Sequence, residues 1–371
     1  MSKLFTPLKI GRYEIKHRVV MAPLTRFRAD EEHVPLPMVA DYYAQRASVP
    51  GTLLVSEGTF IAPEAGGFDC VPGIYNEAQI KSWKRVTDAV HASSEGGSLI
   101  FCQLWAIGRA AHSTVLKKEG QKMTSSGNIP MSEDSEAPTP MTEEEIQKFI
   151  GLYATAAKNA VEAGFDGVEI HGANGYLCDQ FLQDTCNNRQ DGWGGDIEKR
   201  ARFGIEVATA VVAAIGADRV GYRVSPWSPF QAMKMKDPVP QFSYLAEKLK
   251  DLKLAYLHVV ESRISGAGDI KGEGEKVDFL ADIWGTSSGA IILAGGYTPE
   301  SAVETVESHR WQNVAIAFGR NFLATPDLPF RISSKLALNT YNRDTFYIQQ
   351  SPVGYIDYPF SQEFKDSRIA A

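Results

Sequence analysis

Residues 167–182 read GVEIHGANGYLCDQFL, and the unit they form decides the fold. Val168 to Ile170 is a short apolar run of the kind that makes a buried strand. Directly after it come His171, Asn174 and Tyr176. An imidazole and a carboxamide are two neutral hydrogen-bond donors that can grip one oxygen, while a phenol can supply a proton. A strand that ends in polar residues is a building block of α/β architectures, so the fold turns on how often the block recurs.

It recurs along almost the whole chain. Apolar runs bounded by turn residues lie at Val19 to Ala22, Thr52 to Ser56, Leu99 to Leu104, Gly167 to Ile170, Val220 to Val224, Tyr256 to Val260, Ile291 to Ala294 and Val314 to Phe318. Helical periodicity follows near residues 38–48, 77–94, 143–163, 197–215, 241–252, 276–285, 299–307 and 326–337. Thr142 ahead of Glu143, Glu144 and Glu145 marks a helix start, with a capping hydroxyl and acidic side chains at the positive end of the dipole. Parallel strands need crossovers, and eight strand-then-helix units close a sheet on itself. The pattern therefore predicts one α/β domain over residues 1–371, a (β/α)8 TIM barrel, with a doubly wound open sheet as the alternative. Leu4 to Lys16, around Gly11, reads as an N-terminal β-hairpin within residues 1–17 that plugs the barrel bottom. Residues 106–142, rich in Ser, Pro, Gly and charge, form a long connection after the third strand, read as a lid-like insertion on the catalytic face.

Composition narrows the function. A chain of 371 residues with 44% hydrophobic and 22% charged residues could bury two ordinary cores, but the unbroken strand–helix pattern argues for one large one. A net charge of −7 without a Lys/Arg cluster gives no footprint for nucleic acid or anionic lipid, so the expected partner is a small molecule. Cys70, Cys102, Cys178 and Cys186 have neither CxxC spacing nor disulfide-rich density, which fits free thiols in a reducing compartment. The N-terminal stretch has no apolar signal region and no membrane-length apolar run occurs, so a cytoplasmic protein is expected; either a monomer or a homodimer is compatible with the sequence.

A TIM barrel places its functional residues just past the C-terminal ends of its strands. The unusual residues fall there: Pro23, Leu24 and Thr25; Glu57 and Gly58; Gln103 and Trp105; His171, Asn174 and Tyr176; Arg223; Gly295 and Gly296; Gly319 and Arg320. Singly, each has a bland explanation. AGGY and FGR could be turn glycines with a surface Arg, and Gln103 a core amide bonded to backbone. Arg223 could pair with Glu57 or another barrel carboxylate, His171 could be an exposed loop residue, and Tyr176 a packing aromatic. Together they describe a site. Glycines on the last two strands let backbone N–H groups approach a phosphate, and Arg320 can clamp it. Gln103 offers both donor and acceptor to a pyrimidine-like ring edge. No HxH, HExxH or carboxylate cluster accompanies His171, so no metal is expected.

These segments, in this order, resemble the old yellow enzyme family of FMN-dependent ene-reductases. MAPLTRFRA, SEGTFIAPEAGGF, FCQLW, GVEIHGANGYL, NRQDGWGGDIEKRARF, GYRVSP, LAGGYTPE, AFGRNFLATPDLPFR and GYIDYP carry the likeness over nearly the whole chain. QRASVPGTLL, QLWAIGRAA and VAIAFGR look closest to fungal members, including chanoclavine aldehyde reductases. The resemblance implies that FMN is bound and NADPH is the hydride donor. It implies flavin contacts for Pro23, Leu24, Thr25, Gly58, Gln103 and Arg223, and phosphate contacts for Gly295, Gly296, Gly319 and Arg320. It gives the substrate carbonyl to His171 and Asn174, the proton to Tyr176, and the pocket lining to Trp105, Phe68 and Tyr355. Phe68 stands where many relatives have Tyr, which removes a hydroxyl from the pocket mouth.

The implied reaction reduces the activated C=C bond of an α,β-unsaturated carbonyl compound, with hydride passing from flavin N5 to Cβ and a proton from Tyr176 to Cα. The alternative is a flavin-dependent isomerase or reductase of a fungal secondary-metabolite aldehyde. A barrel aldolase would require a Schiff-base Lys at a strand end, and none of the strand ends carries one. A non-catalytic flavin carrier would leave Tyr176 and the two donors without a purpose.

Overall fold

Eight runs buried on both faces form the strands, as expected of a parallel sheet enclosed between helices and its own interior. They are β1 (Val19–Met21), β2 (Leu53–Phe60), β3 (Leu99–Trp105), β4 (Gly167–His171), β5 (Val220–Val224), β6 (Tyr256–Val260), β7 (Ala290–Ala294) and β8 (Val314–Phe318). Each pairs in parallel with its sequence neighbour, and β8 pairs with β1, so the barrel is closed. The computed structural model describes residues 2–266, 268–271, 274–308 and 310–369.

The outer helices are α1 (Met38–Arg46), α2 (Glu77–Ala92), α3 (Glu143–Glu162), α4 (Ile197–Ile215), α5 (Val239–Asp251), α6 (Asp278–Trp284), α7 (Pro299–Glu307) and α8 (Leu328–Ser333). Thr142 caps α3 with a full capping box to Glu145, as its sequence implies. The eighth helix is shorter than residues 326–337 imply, and a separate helix, Arg320–Ala324, precedes it. The break falls at Asp327, whose buried carboxylate accepts hydrogen bonds from Arg331 at 2.9 Å and from the Ser361 hydroxyl at 2.6 Å. Strand β2 runs past Ser56 to Phe60 because the polar pair Glu57 and Gly58 is accommodated by a bulge. Among the described residues no helix is long and apolar enough to cross a membrane.

The hairpin Leu8–Ile10/Tyr13–Ile15 seals the N-terminal end of the barrel. Ile10 and Ile15 pack with Val20, Leu53, Phe101 and Ile292 in one buried cluster inside the sheet. Gly11 makes the turn at φ 56 and lies so close to the Asp218 carbonyl that a Cβ would overlap it. The closed bottom leaves the opposite rim as the only end of the barrel at which the strand-end side chains converge.

His17 enters β1 with its neutral form fixed by geometry. Thr52 Oγ1 donates to the Val49 carbonyl at 2.7 Å, so His17 Nε2–H donates to Thr52 Oγ1 at 3.0 Å. His17 Nδ1 accepts from the Val19 amide at 3.3 Å. Protonation would add a second N–H against that amide, and burial lowers the His17 pKa from 6.5 to about 4. The unfolded chain thus takes a proton that the folded chain refuses. This contribution is full above pH 6.5 and is lost as pH falls toward 4, amounting to about 3 kcal/mol. Urea unfolding at stepped pH should show the wild type losing stability over this interval relative to His17→Gln; parallel curves would place the titration elsewhere.

Candidate active site

The C-terminal rim opens into a cavity of about 960 Å3. Register explains its floor. Gln103 on β3 lies opposite Glu169 on β4, and His171 on β4 lies opposite Arg223 on β5, which in turn faces His258 on β6. Glu169 and His258 are fully buried. Glu169 accepts a hydrogen bond from Gln103 Nε2 at 2.8 Å and another from His258 Nδ1 at 2.8 Å. Burial pushes the Glu169 carboxyl up, but His258 and Arg223 outweigh it and hold Glu169 ionised below the usual carboxylate range. Burial likewise keeps His258 neutral. The barrel carboxylate that balances Arg223 is therefore Glu169; Glu57 instead accepts from the Arg26 amide at 3.2 Å.

This bonding fixes what Gln103 offers. One of its two N–H groups is committed to Glu169, and its carbonyl oxygen, with no protein partner among the described residues, is available as an acceptor at the cavity that Gln103 lines. Arg223 lines the same wall, and its buried Nε has no hydrogen-bond partner.

The segment after β4 is bolted in place. Asn174 takes φ 59 and Gly175 φ 76, and Asn tolerates the left-handed region better than most residues. The Asn174 amide donates to Ser225 Oγ at 2.7 Å and the Gly175 amide to Asp179 Oδ2 at 2.8 Å. His171, Asn174 and Tyr176 all line the cavity. His171 Nδ1 accepts from the Ala173 amide at 3.3 Å, which leaves Nε2 as the protonated nitrogen. Burial, then the charge of Arg223, depresses the His171 pKa well below 6.5. The ring is a neutral donor. Tyr176 packs edge-on against Trp105 at 4.7 Å and His171 at 4.9 Å between ring centroids. Burial raises its pKa to about 12, so the phenol keeps its proton.

At the other end of the cavity, Gly295 has φ 122 and a Cβ there would come within 2.9 Å of Glu261 Cβ. Gly296, Gly319 and Arg320 complete that end. The Arg320 fork is held by Asp269. Arg263 donates to the Gly295 carbonyl and carries a buried Nη2 without a partner.

Of the remaining residues singled out from sequence, Pro23, Leu24, Thr25, Trp105 and Phe68 line the cavity. Gly58 and Tyr355 do not. Gly58 lies beneath Trp105, whose ring would be 2.4 Å from a Cβ, so it serves close packing of that indole. Tyr355 is buried away from the cavity, stacked on Tyr42 at 4.1 Å with Arg26 and Arg28 over its ring. C-terminal aromatics that do reach the cavity are Tyr341, Phe346 and Tyr347, the last 5.7 Å from Phe27 in a T-shaped contact. Arg26 and Arg28 secure this arm through the carbonyls of Phe346, Ser351 and Gly354. Sequence reasoning also passed over Phe27, His112, Phe230 and Phe346, which line the cavity without any motif to mark them. Glu169 did carry a signal, a carboxylate in an otherwise apolar strand.

Residues 106–142 contain a short helix, Ser113–Lys118, and a parallel pairing of Thr124–Ser125 with Thr139–Pro140. They are tied to the site by Ser125 Oγ to Gln180 at 2.7 Å and by Arg109 to the Gln231 carbonyl at 3.0 Å.

A barrel whose rim cavity has Gly295, Gly296, Gly319 and Arg320 at one end and neutral His171 beside Asn174 and Tyr176 on its wall suits the site of a flavin oxidoreductase. The chain belongs to the NADH:flavin oxidoreductase / NADH oxidase family, whose model matches residues 3–339. It is 53% identical to a chanoclavine-I aldehyde reductase of Penicillium roqueforti over 100% of both chains. It is also 49% identical to a probable inactive reductase of Epichloe festucae var. lolii, over 98% of this chain and 96% of that one. The old yellow enzyme of Pichia sp. AKU4542 superposes with a TM-score of 0.89 at 36% identity, over 97% of this chain and 94% of that one. Active and inactive relatives stand at similar identity, so activity has to be argued from the site residues.

One consequence of the His171 environment is directly measurable. Long-range proton–nitrogen NMR, assigned with His171→Gln, should show an Nε2–H imidazole that stays neutral as pH falls through 6.5. An ordinary titration near that pH would contradict the neutral-donor assignment.

Proposed function

We propose that the protein is an NADPH-dependent FMN ene-reductase that reduces the activated C=C bond of α,β-unsaturated carbonyl compounds. The observation that carries this reading is the convergence of neutral His171, Asn174 and protonated Tyr176 on one cavity wall.

The residues present fit FMN. Gln103 offers its carbonyl oxygen to a ring N–H, Arg223 brings an unpartnered N–H and a positive charge, and Pro23, Leu24 and Thr25 line the same region. Gly295, Gly296 and Gly319 leave backbone accessible to a phosphate, and Arg320 would exchange Asp269 for it. When bound, the flavin supplies the hydride.

The chain's own residues do the rest. His171 Nε2–H and the Asn174 carboxamide donate to the substrate carbonyl oxygen, and these bonds strengthen as negative charge develops there. The His171 ring, held by the Ala173 amide, needs no reorganisation when that happens, and Ser225 anchors the backbone that carries Asn174. Tyr176 then delivers its proton to Cα. Trp105, Phe68 and Tyr347 enclose the apolar part of the substrate. The family description supports a nicotinamide donor; the preference for NADPH rests on the resemblance to old yellow enzymes. A second reading, an isomerase or reductase of a fungal secondary-metabolite aldehyde, is favoured by the aldehyde reductase relative and uses the same wall.

The purified protein should be yellow and release FMN on denaturation; failure to bind added FMN would end the proposal. His171→Ala and Asn174→Ala should retain FMN and each weaken the enone step by about 2–4 kcal/mol, the range for a lost oxyanion donor. Tyr176→Phe should leave reduction of the flavin by NADPH near wild type while slowing reoxidation by an enone roughly 10²–10⁴-fold. Stopped-flow measurement of both half-reactions decides the point. Slowed reduction with unchanged reoxidation would assign Tyr176 to nicotinamide binding instead.

A further inference from the structure

Tyr176 follows a glycine, the residue least able to hold its neighbour in one orientation. Packing imposes that glycine. A Cβ on Gly175 would lie 2.8 Å from Met233 Cγ and 2.9 Å from the Cβ of Gln231, itself in the left-handed region at φ 58. The direction of the phenol is therefore set by whatever holds the Gly175–Tyr176 peptide.

Both polar backbone groups of Gly175 end on fully buried side chains of the short helix that follows, Leu177–Leu182. The Gly175 amide donates to Asp179, and the Gly175 carbonyl accepts from Gln180 Nε2 at 2.8 Å. That carbonyl belongs to the peptide leading into Tyr176, so Gln180 fixes the plane from which the phenol departs.

The same carboxamide is anchored on its far side by the 106–142 connection. Gln180 Nε2 also donates to the Ile107 carbonyl at 2.9 Å, while Oε1 accepts from the Arg109 amide at 3.0 Å and from Ser125 Oγ at 2.7 Å. Two N–H groups and two lone pairs are all used, and only one orientation serves them. Flipped, the amide would set its oxygen against two carbonyls and its N–H against the Arg109 N–H. Gly108 makes room for it, since a Cβ there would come within 1.9 Å of Gln180 Oε1. Ser126 Oγ adds a bond to the Gln180 carbonyl at 2.7 Å. A buried amide so placed passes the position of one segment to the other, because a shift of either leaves a buried polar group unpaired.

We propose that Gln180 is the positioning residue of the Tyr176 segment: it pins the Gly175–Tyr176 peptide to the 106–142 connection, so that the fold of that connection sets where the phenol stands. This deepens, and rests on, the reading of Tyr176 as the acid. Gln180 itself transfers nothing.

The test uses the FMN-loaded full-length chain, prereduced with dithionite. Gln180→Met, of similar length and without a hydrogen-bond donor, should slow reoxidation by 2-cyclohexen-1-one roughly 10- to 100-fold, the effect of a misplaced reacting group. Reoxidation of the same protein by molecular oxygen, which needs no proton delivered to carbon, should stay at the wild-type rate. Ser125→Ala removes one bond on the far side and should slow the enone step roughly 2- to 10-fold, the range for one neutral hydrogen bond, with no added effect in Gln180→Met. Both variants should speed amide hydrogen exchange in the peptide spanning residues 172–178. In a Tyr176→Phe background neither should slow the enone step further.

Wild-type enone reoxidation in Gln180→Met would overturn the proposal. So would equal slowing with enone and oxygen, an undiminished effect without the Tyr176 hydroxyl, or effects of Ser125→Ala and Gln180→Met that simply add. Faster exchange confined to residues 106–142 in Ser125→Ala would overturn the coupling. Should Gln180→Met fail to hold FMN, Ser125→Ala and its combination with Tyr176→Phe decide by the same criteria. If Tyr176→Phe alone leaves enone reoxidation unchanged, the acid assignment fails and the role of Gln180 falls with it.

Discussion

The buried carboxylate of Glu169 is the constraint on which the site depends. It sits at zero exposure inside the barrel, accepts from Gln103 and His258, and supplies the negative charge that Arg223 needs. An uncompensated cation at this depth would be strongly unfavourable, and an unpaired carboxylate equally so. Because β3, β4, β5 and β6 each contribute one member of the group, the register of four strands is tied to one buried carboxylate, its hydrogen bonds and the charge of Arg223. The closed sheet supplies the positions, and Glu169 determines which atoms face the cavity.

The chemistry follows from charge placement. Arg223 near His171 is one cause of the lowered imidazole pKa, so the same cation that suits a ring bearing negative charge also keeps the neighbouring donor neutral. A neutral imidazole with one committed nitrogen donates in a single direction. Burial meanwhile keeps the Tyr176 phenol protonated, as the proposed role of acid requires. The neutral imidazole and the protonated phenol are thus made distinct by environment rather than by residue type alone, and the proposed roles follow that difference.

Much of this was legible in the sequence because it is periodic or local. The eight apolar runs became the eight strands, with only β2 extending well past its expected end, and the Thr142 capping box was visible as Thr-Glu-Glu-Glu. Residues at strand ends could be assigned to the cavity rim from the barrel alone, and those after β1, β4, β7 and β8 lie there. What escaped was long-range. Tyr355 and Tyr347 both stand in an aromatic C-terminal segment, and only the grip of Arg26 and Arg28 on its carbonyls decides that Tyr347 enters the cavity while Tyr355 stacks on Tyr42. Gly58 proved to be a packing glycine because the Trp105 ring lies against it, a contact across strands that no spacing rule encodes. The strained backbone at Gln231 has no Gly or Asn to announce it.

A relative named as an aldehyde reductase leaves two bonds open to attack in an unsaturated aldehyde, the C=C and the C=O. In the proposed reading His171 and Asn174 take the carbonyl oxygen and Tyr176 supplies the proton, which makes the carbonyl the handle and the alkene the target. Turnover of cinnamaldehyde in deuterium oxide with NADPH, read by proton NMR and mass spectrometry, separates them. The account expects a saturated aldehyde carrying one solvent deuterium at Cα. Accumulation of the allylic alcohol, with the alkene intact, would contradict it.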